Sequence, residues 1–227
     1  MSVQDNLIRI HKKINDLRKP AGQDITLIAV SKQKPVEAIQ EAIEAGQLIF
    51  GENRLQEAVE KLPAINNTGV EWHFIGHLQK NKVKKAVDLF HVIHSVDKIS
   101  TAKEISKHCV RLDKTMSVFV QVNTTNEPQK GGVDPNHLKD LLERLIPIPN
   151  LHILGLMTIS LFTKNQDQIR RPFSLLRSLK DRMNQEIPSL NLKYLSMGMS
   201  GDYELAIEEG ATHLRIGTAI FGDRVKT

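Results

Sequence analysis

Apolar positions follow two alternating rhythms along this chain. Residues 2–18 place Leu7, Ile10, Ile14 and Leu17 on a 3.6-residue stripe among charges, which predicts an amphipathic helix that needs a partner to cover it. ITLIAV (25–30) is then a short continuous apolar run, as expected of a parallel strand buried on both faces. Pro35 suits the first helical position behind it, Val36, Ile39 and Ile43 make the next stripe, and Gly46 stops that helix. The pattern repeats without a long linker. Further strands are predicted at 48–51, 71–76, 89–96, 116–123, 151–158, 191–197 and 213–222, with helices near 54–62, 80–87, 98–108, 135–145, 166–187 and 201–209. Asp134 before Pro135 reads as an N-cap, Ser200 as the cap of the helix at 201–209, and Gly210 as that helix's left-handed stop.

Eight strands alternating with helices predict a parallel α/β fold, and closure into a single (β/α)8 TIM-type barrel is the economical topology at that count. One domain is expected over residues 1–227, with 1–20 as a helix packed on the barrel. An open doubly wound sheet is the alternative. No G-x-G-x-x-G follows the first strand and no Walker sequence occurs, which weakens it.

Composition narrows the partners. No run approaches the roughly 20 apolar residues of a membrane span, and MSVQDNLIRIHKKI lacks a signal peptide's apolar region, so a soluble cytoplasmic protein is expected. The one cysteine, Cys109, excludes an internal disulfide and four-cysteine zinc sites. A net charge of +5 favours anionic partners in general. Aromatics at 4% leave little material for stacking nucleic-acid bases.

In such a barrel the chemistry sits at the C-terminal strand ends. Lys32 directly follows the wholly apolar first strand, where partial desolvation lowers an amine's pKa towards the neutral nucleophile that imine formation needs. In the last strand Gly217 and Thr218 sit where backbone N–H groups and a hydroxyl can approach a phosphate. Ser196 ends the seventh strand, and Ser200 opens a helix whose N-terminal dipole also favours an anion.

These residues belong to a longer series: AVSKQKP (29–35), FGENRLQE (50–57), WHFIGHLQKNK (72–82), HSVD (94–97), VNTTNEPQKGG (122–132), GLMTI (155–159), LSMGMSGDYELAI (195–207) and RIGTAIFGDR (215–224). Their order and near-complete coverage resemble the YggS/PROSC family of pyridoxal phosphate homeostasis proteins, relatives in fold of the alanine racemase N-terminal domain. The resemblance implies pyridoxal 5′-phosphate as cofactor, bound as a Schiff base on Lys32, with Asn53 nearby, Ser196, Gly217 and Thr218 about the phosphate, and Arg215 at the pyridine nitrogen. A guanidinium accepts no proton from the ring, so carbanion chemistry would be poorly supported. His77 stands where many members have proline, and Gly201 where an acidic or polar residue is frequent. Racemases of this type continue into a β domain that supplies a second catalytic residue. This chain ends five residues after Gly222, so that domain is expected to be missing.

Two functions use Lys32: a carrier that holds the cofactor and delivers it to apo-enzymes, and a racemase-like enzyme acting on amino acids. The sequence offers no base for the enzyme unless Lys34 or His77 folds inward, so the carrier is preferred. His73, His77, His91 and His94 invite a metal, but no carboxylate or cysteine completes a set, and no metal is expected. The lysine run QKNKVKKA (79–86) reads as a solvated helix face, with neither nucleic acid nor membrane as partner. A monomer is expected.

Overall fold

The computed structural model describes residues 2–18, 24–65, 69–127 and 129–223. Eight parallel strands, β1 (Thr26–Val30), β2 (Ile49–Glu52), β3 (Glu71–Phe74), β4 (Val92–Val96), β5 (Met116–Gln121), β6 (Leu151–Met157), β7 (Tyr194–Ser196) and β8 (His213–Ile216), close in chain order. The seam is β8 on β1, where Ile28 pairs with Arg215. Around them run α1 (Val3–Leu17), α2 (Val36–Glu44), α3 (Leu55–Lys61), α4 (Val83–Leu89), α5 (Ile99–Arg111), α6 (Leu138–Leu145), α7 (Gln166–Glu186), α8 (Tyr203–Glu208) and α9 (Thr218–Phe221). The expected barrel is therefore the fold.

Local chemistry sets several element ends. Ser2 and Asp5 form a capping box at the start of α1, whose buried stripe of Leu7, Ile10 and Ile14 packs against α2, α8 and α9 beside the seam. Asp134 accepts from the Asn136 N–H at 2.8 Å, and Gly210 takes φ +95°, as their sequence contexts predict. The predicted strand 213–222 is cut short: Gly217 leaves the extended region, its carbonyl accepts from Ile220 and Phe221, and TAIF coils into α9. TAIF is too short for its apolar run to tell a strand from one helical turn. Likewise α4 runs to Leu89, so β4 starts three residues later than 89.

Two apolar regions result. The larger lies between the outer strand faces and the helices and includes Leu27, Ala29, Phe50, Phe74, Ile93, Val118 and Val120. The smaller fills part of the barrel interior with Val92, Phe119 and Met157. Barrels of this class usually fill the interior with branched aliphatics. Here His73, His94, His213 and Arg215 are buried instead, with the His94 ring stacked 4.4 Å from Phe119. Among the described residues no helix is long and apolar enough to cross a membrane.

Candidate functional site

All eight strands end at one mouth, so the residues after β1, β2, β7 and β8 share it. Leu27 and Ala29 join the outer core, which turns Ile28 and Val30 inward and carries Lys32, half-buried, on the inward register. The turn bearing it is held from outside. Ser31 N–H donates to Gly51 O at 3.1 Å, and Gln33, at φ +57°, donates its N–H to Glu57 Oε1 at 2.5 Å. Lys61 of α3, only 7% exposed, donates to Ser31 O at 2.9 Å and pairs with Glu52 Oε1 at 2.6 Å and Glu57 Oε1 at 2.8 Å. Ser31 Oγ donates to the same Glu52 oxygen at 2.6 Å. Burial raises the Glu52 pKa, although Lys61 and Ser31 both pull it down. This box of Glu52, Glu57, Lys61 and Ser31 was not read from the sequence. Its one local signal was the i,i+4 spacing of Glu57 and Lys61 on α3.

The alternative bases do not turn inward. Lys34 Nζ donates to the carbonyl oxygens of Phe221 at 3.0 Å, Gly222 at 2.9 Å and Asp223 at 3.0 Å, which ties it to the C-terminal segment. His77 is exposed at the rim.

Arg215 is buried on β8, its plane fixed by two bonds: Nη1 to Ser196 Oγ at 2.6 Å and Nη2 to Thr158 O at 2.8 Å. Thr158 is itself anchored, its hydroxyl donating to Val122 O at 2.9 Å and meeting Thr124 Oγ1 at 2.7 Å. Burial lowers the Arg215 pKa to about 10, with Asp202 opposing, so the guanidinium stays protonated at neutral pH.

The anion side is rearranged. Ser196, fully buried, spends its hydroxyl on Arg215 and on His94 Nδ1 at 2.9 Å. Ser200 does not cap the following helix: Asp202 holds that N-cap position, and Gly198 at φ +93° starts a turn that delays the helix to Tyr203. Instead Ser200 Oγ accepts from Gly217 N–H and Ala219 N–H, both at 3.2 Å, and so caps α9. Thr218 opens α9 and is exposed. Asn53 follows β2, and its Oδ1 is buried without a partner, as is Ser95 Oγ on β4.

His73 Nδ1 and His94 Nε2 lie 2.9 Å apart. Among the described residues no three metal-binding side chains gather. Lys84 and Lys85 are exposed on α4. A surface cavity of about 560 Å3 between α5 and α6, lined by Lys103, Glu143 and Arg144, lies on the outside of the barrel, apart from the mouth.

The alanine racemase N-terminal domain model matches residues 6–225. The pyridoxal phosphate homeostasis protein of Aquifex aeolicus is 41% identical over 227 residues, 99% of each chain. The structure of PipY from Synechococcus elongatus with PLP bound matches at TM-score 0.88 and 36% identity, over 97% of this chain and 100% of that one. An alanine racemase from Clostridium difficile, 15% identical, shares the fold at TM-score 0.76, and this chain spans 56% of its length. The chain therefore belongs to the alanine racemase N-terminal domain family and, within it, groups with the pyridoxal phosphate homeostasis proteins.

Proposed function

We propose that this chain binds pyridoxal 5′-phosphate at the barrel mouth, covalently through Lys32, and holds it for delivery to apo-enzymes without turning over amino acids. The observation that carries the reading is that Lys32 continues the inward register just beyond β1, while the adjoining strand β8 carries Arg215, paired with Ile28 of β1, as a buried guanidinium locked by Ser196 and Thr158. When bound, the group supplies an aldehyde that an amine captures as an imine and a phosphate that hydrogen-bond donors hold.

The residues suit both ends. A Cβ at Gly217 would stand 3.2 Å from Val30 O, so glycine keeps that backbone open to close approach. Gly217 N–H and Ala219 N–H converge on one oxygen, Ser200 Oγ, as they would on an anion's, and Thr218, exposed, is the residue between them. Asn53 Oδ1 and Ser95 Oγ bring unpartnered acceptors to the ends of β2 and β4. Lys34 and Lys61, the neighbouring amines, are bound to carbonyls and carboxylates. Arg215 donates and never accepts, so a ring nitrogen it holds stays unprotonated. That favours holding over turnover.

The test is borohydride reduction of the reconstituted protein followed by peptide mapping. A stable adduct on Lys32 is expected, and an adduct on Lys34, Lys61 or elsewhere overturns the assignment. Transfer of the cofactor to an apo-enzyme is expected in a parallel assay, and amino-acid Cα–H exchange at enzymatic rates overturns the holding role.

A further inference from the structure

One chain of hydrogen bonds runs through the barrel interior from end to end. Glu71, the first residue of β3, lies at the end opposite Lys32, with its side chain 45% exposed. Its Oε1 is 2.8 Å from His73 Nε2, His73 Nδ1 is 2.9 Å from His94 Nε2, His94 Nδ1 is 2.9 Å from Ser196 Oγ, and Ser196 Oγ is 2.6 Å from Arg215 Nη1. Four of these five residues, His73, His94, Ser196 and Arg215, are essentially inaccessible to water.

The chemistry of its two ends gives this chain a single direction. Arg215 can only donate and the Glu71 carboxylate can only accept, while histidine and serine do either. Starting from the top, Ser196 Oγ accepts from Arg215, and its own proton goes to His94 Nδ1. A neutral His94 then carries its proton on Nε2 and donates to His73 Nδ1. His73 likewise carries its proton on Nε2 and donates to Glu71. Starting from the carboxylate gives the same tautomers. Protonating either histidine breaks the pattern, because both of its nitrogens then donate and Ser196 loses its acceptor.

We propose that Glu71, His73 and His94 are positioning residues for Arg215, joined to it through Ser196 in one directional relay that fixes the guanidinium at the cofactor end of the barrel. The relay itself rests on geometry alone. Its effect on pyridoxal phosphate rests on the reading given above. The charged and titratable groups facing it agree with neutral histidines. His213 and Arg215 on β8 oppose added positive charge at His94, His91 stands beside Glu71 and His73, Asp202 faces Arg215, and Glu71 alone pulls His73 upward. Burial outweighs Glu71 and lowers His73, and it holds His94 well below the usual histidine range. The His73 N–H in turn draws Glu71 below the usual carboxylate range.

Histidine-15N NMR of the cofactor-free protein tests the relay directly. Both His73 and His94 should show the neutral Nε2–H pattern from pH 6 to 8. An Nδ1–H tautomer or a protonated ring at either residue overturns the relay, whether or not the protein binds any cofactor. The link to Arg215 is tested with pyridoxal phosphate on Glu71→Leu and Glu71→Gln, exposed-end changes that spare the core. Leucine removes the terminal acceptor, and affinity should fall roughly tenfold, the fold-change of one charge-assisted hydrogen bond, with a shift in the bound cofactor's absorption band. Glutamine still accepts from His73 and should restore both. Unchanged affinity and spectrum in Glu71→Leu, or no rescue by Glu71→Gln, overturns the positioning role. If the wild-type protein itself takes up no pyridoxal phosphate, the binding reading fails while the tautomers still decide the relay.

Discussion

Acid should unfold this barrel from the inside. His213 is buried on β8 with its ring 5.1 Å from Phe119 and 5.1 Å from Tyr194, and burial, with His73 adding to it, lowers its pKa to about 3. An unfolded histidine titrates near 6.5. Between those values the unfolded chain binds a proton that the native chain refuses. Stability is therefore fully present above about pH 6.5 and falls by about 1.4 kcal/mol per pH unit as the pH drops towards 3. At pH 4.5 His213 alone costs about 3 kcal/mol, a large part of the roughly 5–15 kcal/mol of an ordinary domain. His73 and His94 act in the same direction. Urea unfolding of cofactor-free protein at pH values from 7 to 4.5 measures the slope, and His213→Gln removes the titration while carboxylate effects cancel in the comparison. The variant's profile should be flatter by about 3 kcal/mol across that window. Parallel profiles for the two proteins refute the reasoning.

Two further substitutions probe the frame around the site. Lys61→Met leaves Glu52 buried without its partner and should destabilise the protein by about 3 kcal/mol. Glu52 then titrates above its unfolded pKa, so the loss should be larger at pH 8 than at pH 5, and Glu52→Gln added to Lys61→Met should recover part of it in a double-mutant cycle. Gly155→Ala should cost at least about 2 kcal/mol in denaturant melts, because its Cβ would fall 1.8 Å from the Tyr194 carbonyl oxygen on the paired strand and backbone there cannot yield.

The fold was legible because its signals are local. Each apolar run and each amphipathic stripe announces one element, and the count of eight then selects the closed barrel. Boundaries failed where one short run serves either geometry, as with TAIF in α9. The place of Lys32 just beyond the end of β1 was legible from the apolar run before it. Ser200 was misread because an N-cap is inferred from the next residues in sequence, whereas its hydroxyl serves N–H groups 17 and 19 residues away. The Lys61 box and the histidine relay were illegible for the same reason on a larger scale: Glu52 meets Ser31 across 21 residues, and His94 meets Ser196 across 102. Spacing along the chain carries no trace of such meetings.

The histidines also bear on whether the mouth performs turnover. A general acid or base works best when its pKa lies near the operating pH. Among the described residues, burial drives the three buried histidines of the barrel interior down, His213 to about 3, which favours their neutral rings. Arg215, at about 10, is too weak an acid to give up a proton near neutrality. Lys34, the amine two residues from Lys32, is fixed by three carbonyls at the end of the chain. Among the described residues, the buried interior histidines are favoured as neutral rings and Arg215 as a charged one, so these groups act on a ligand through directed hydrogen bonds. Groups fixed in this way orient a ligand's ring, which suits the holding role we propose.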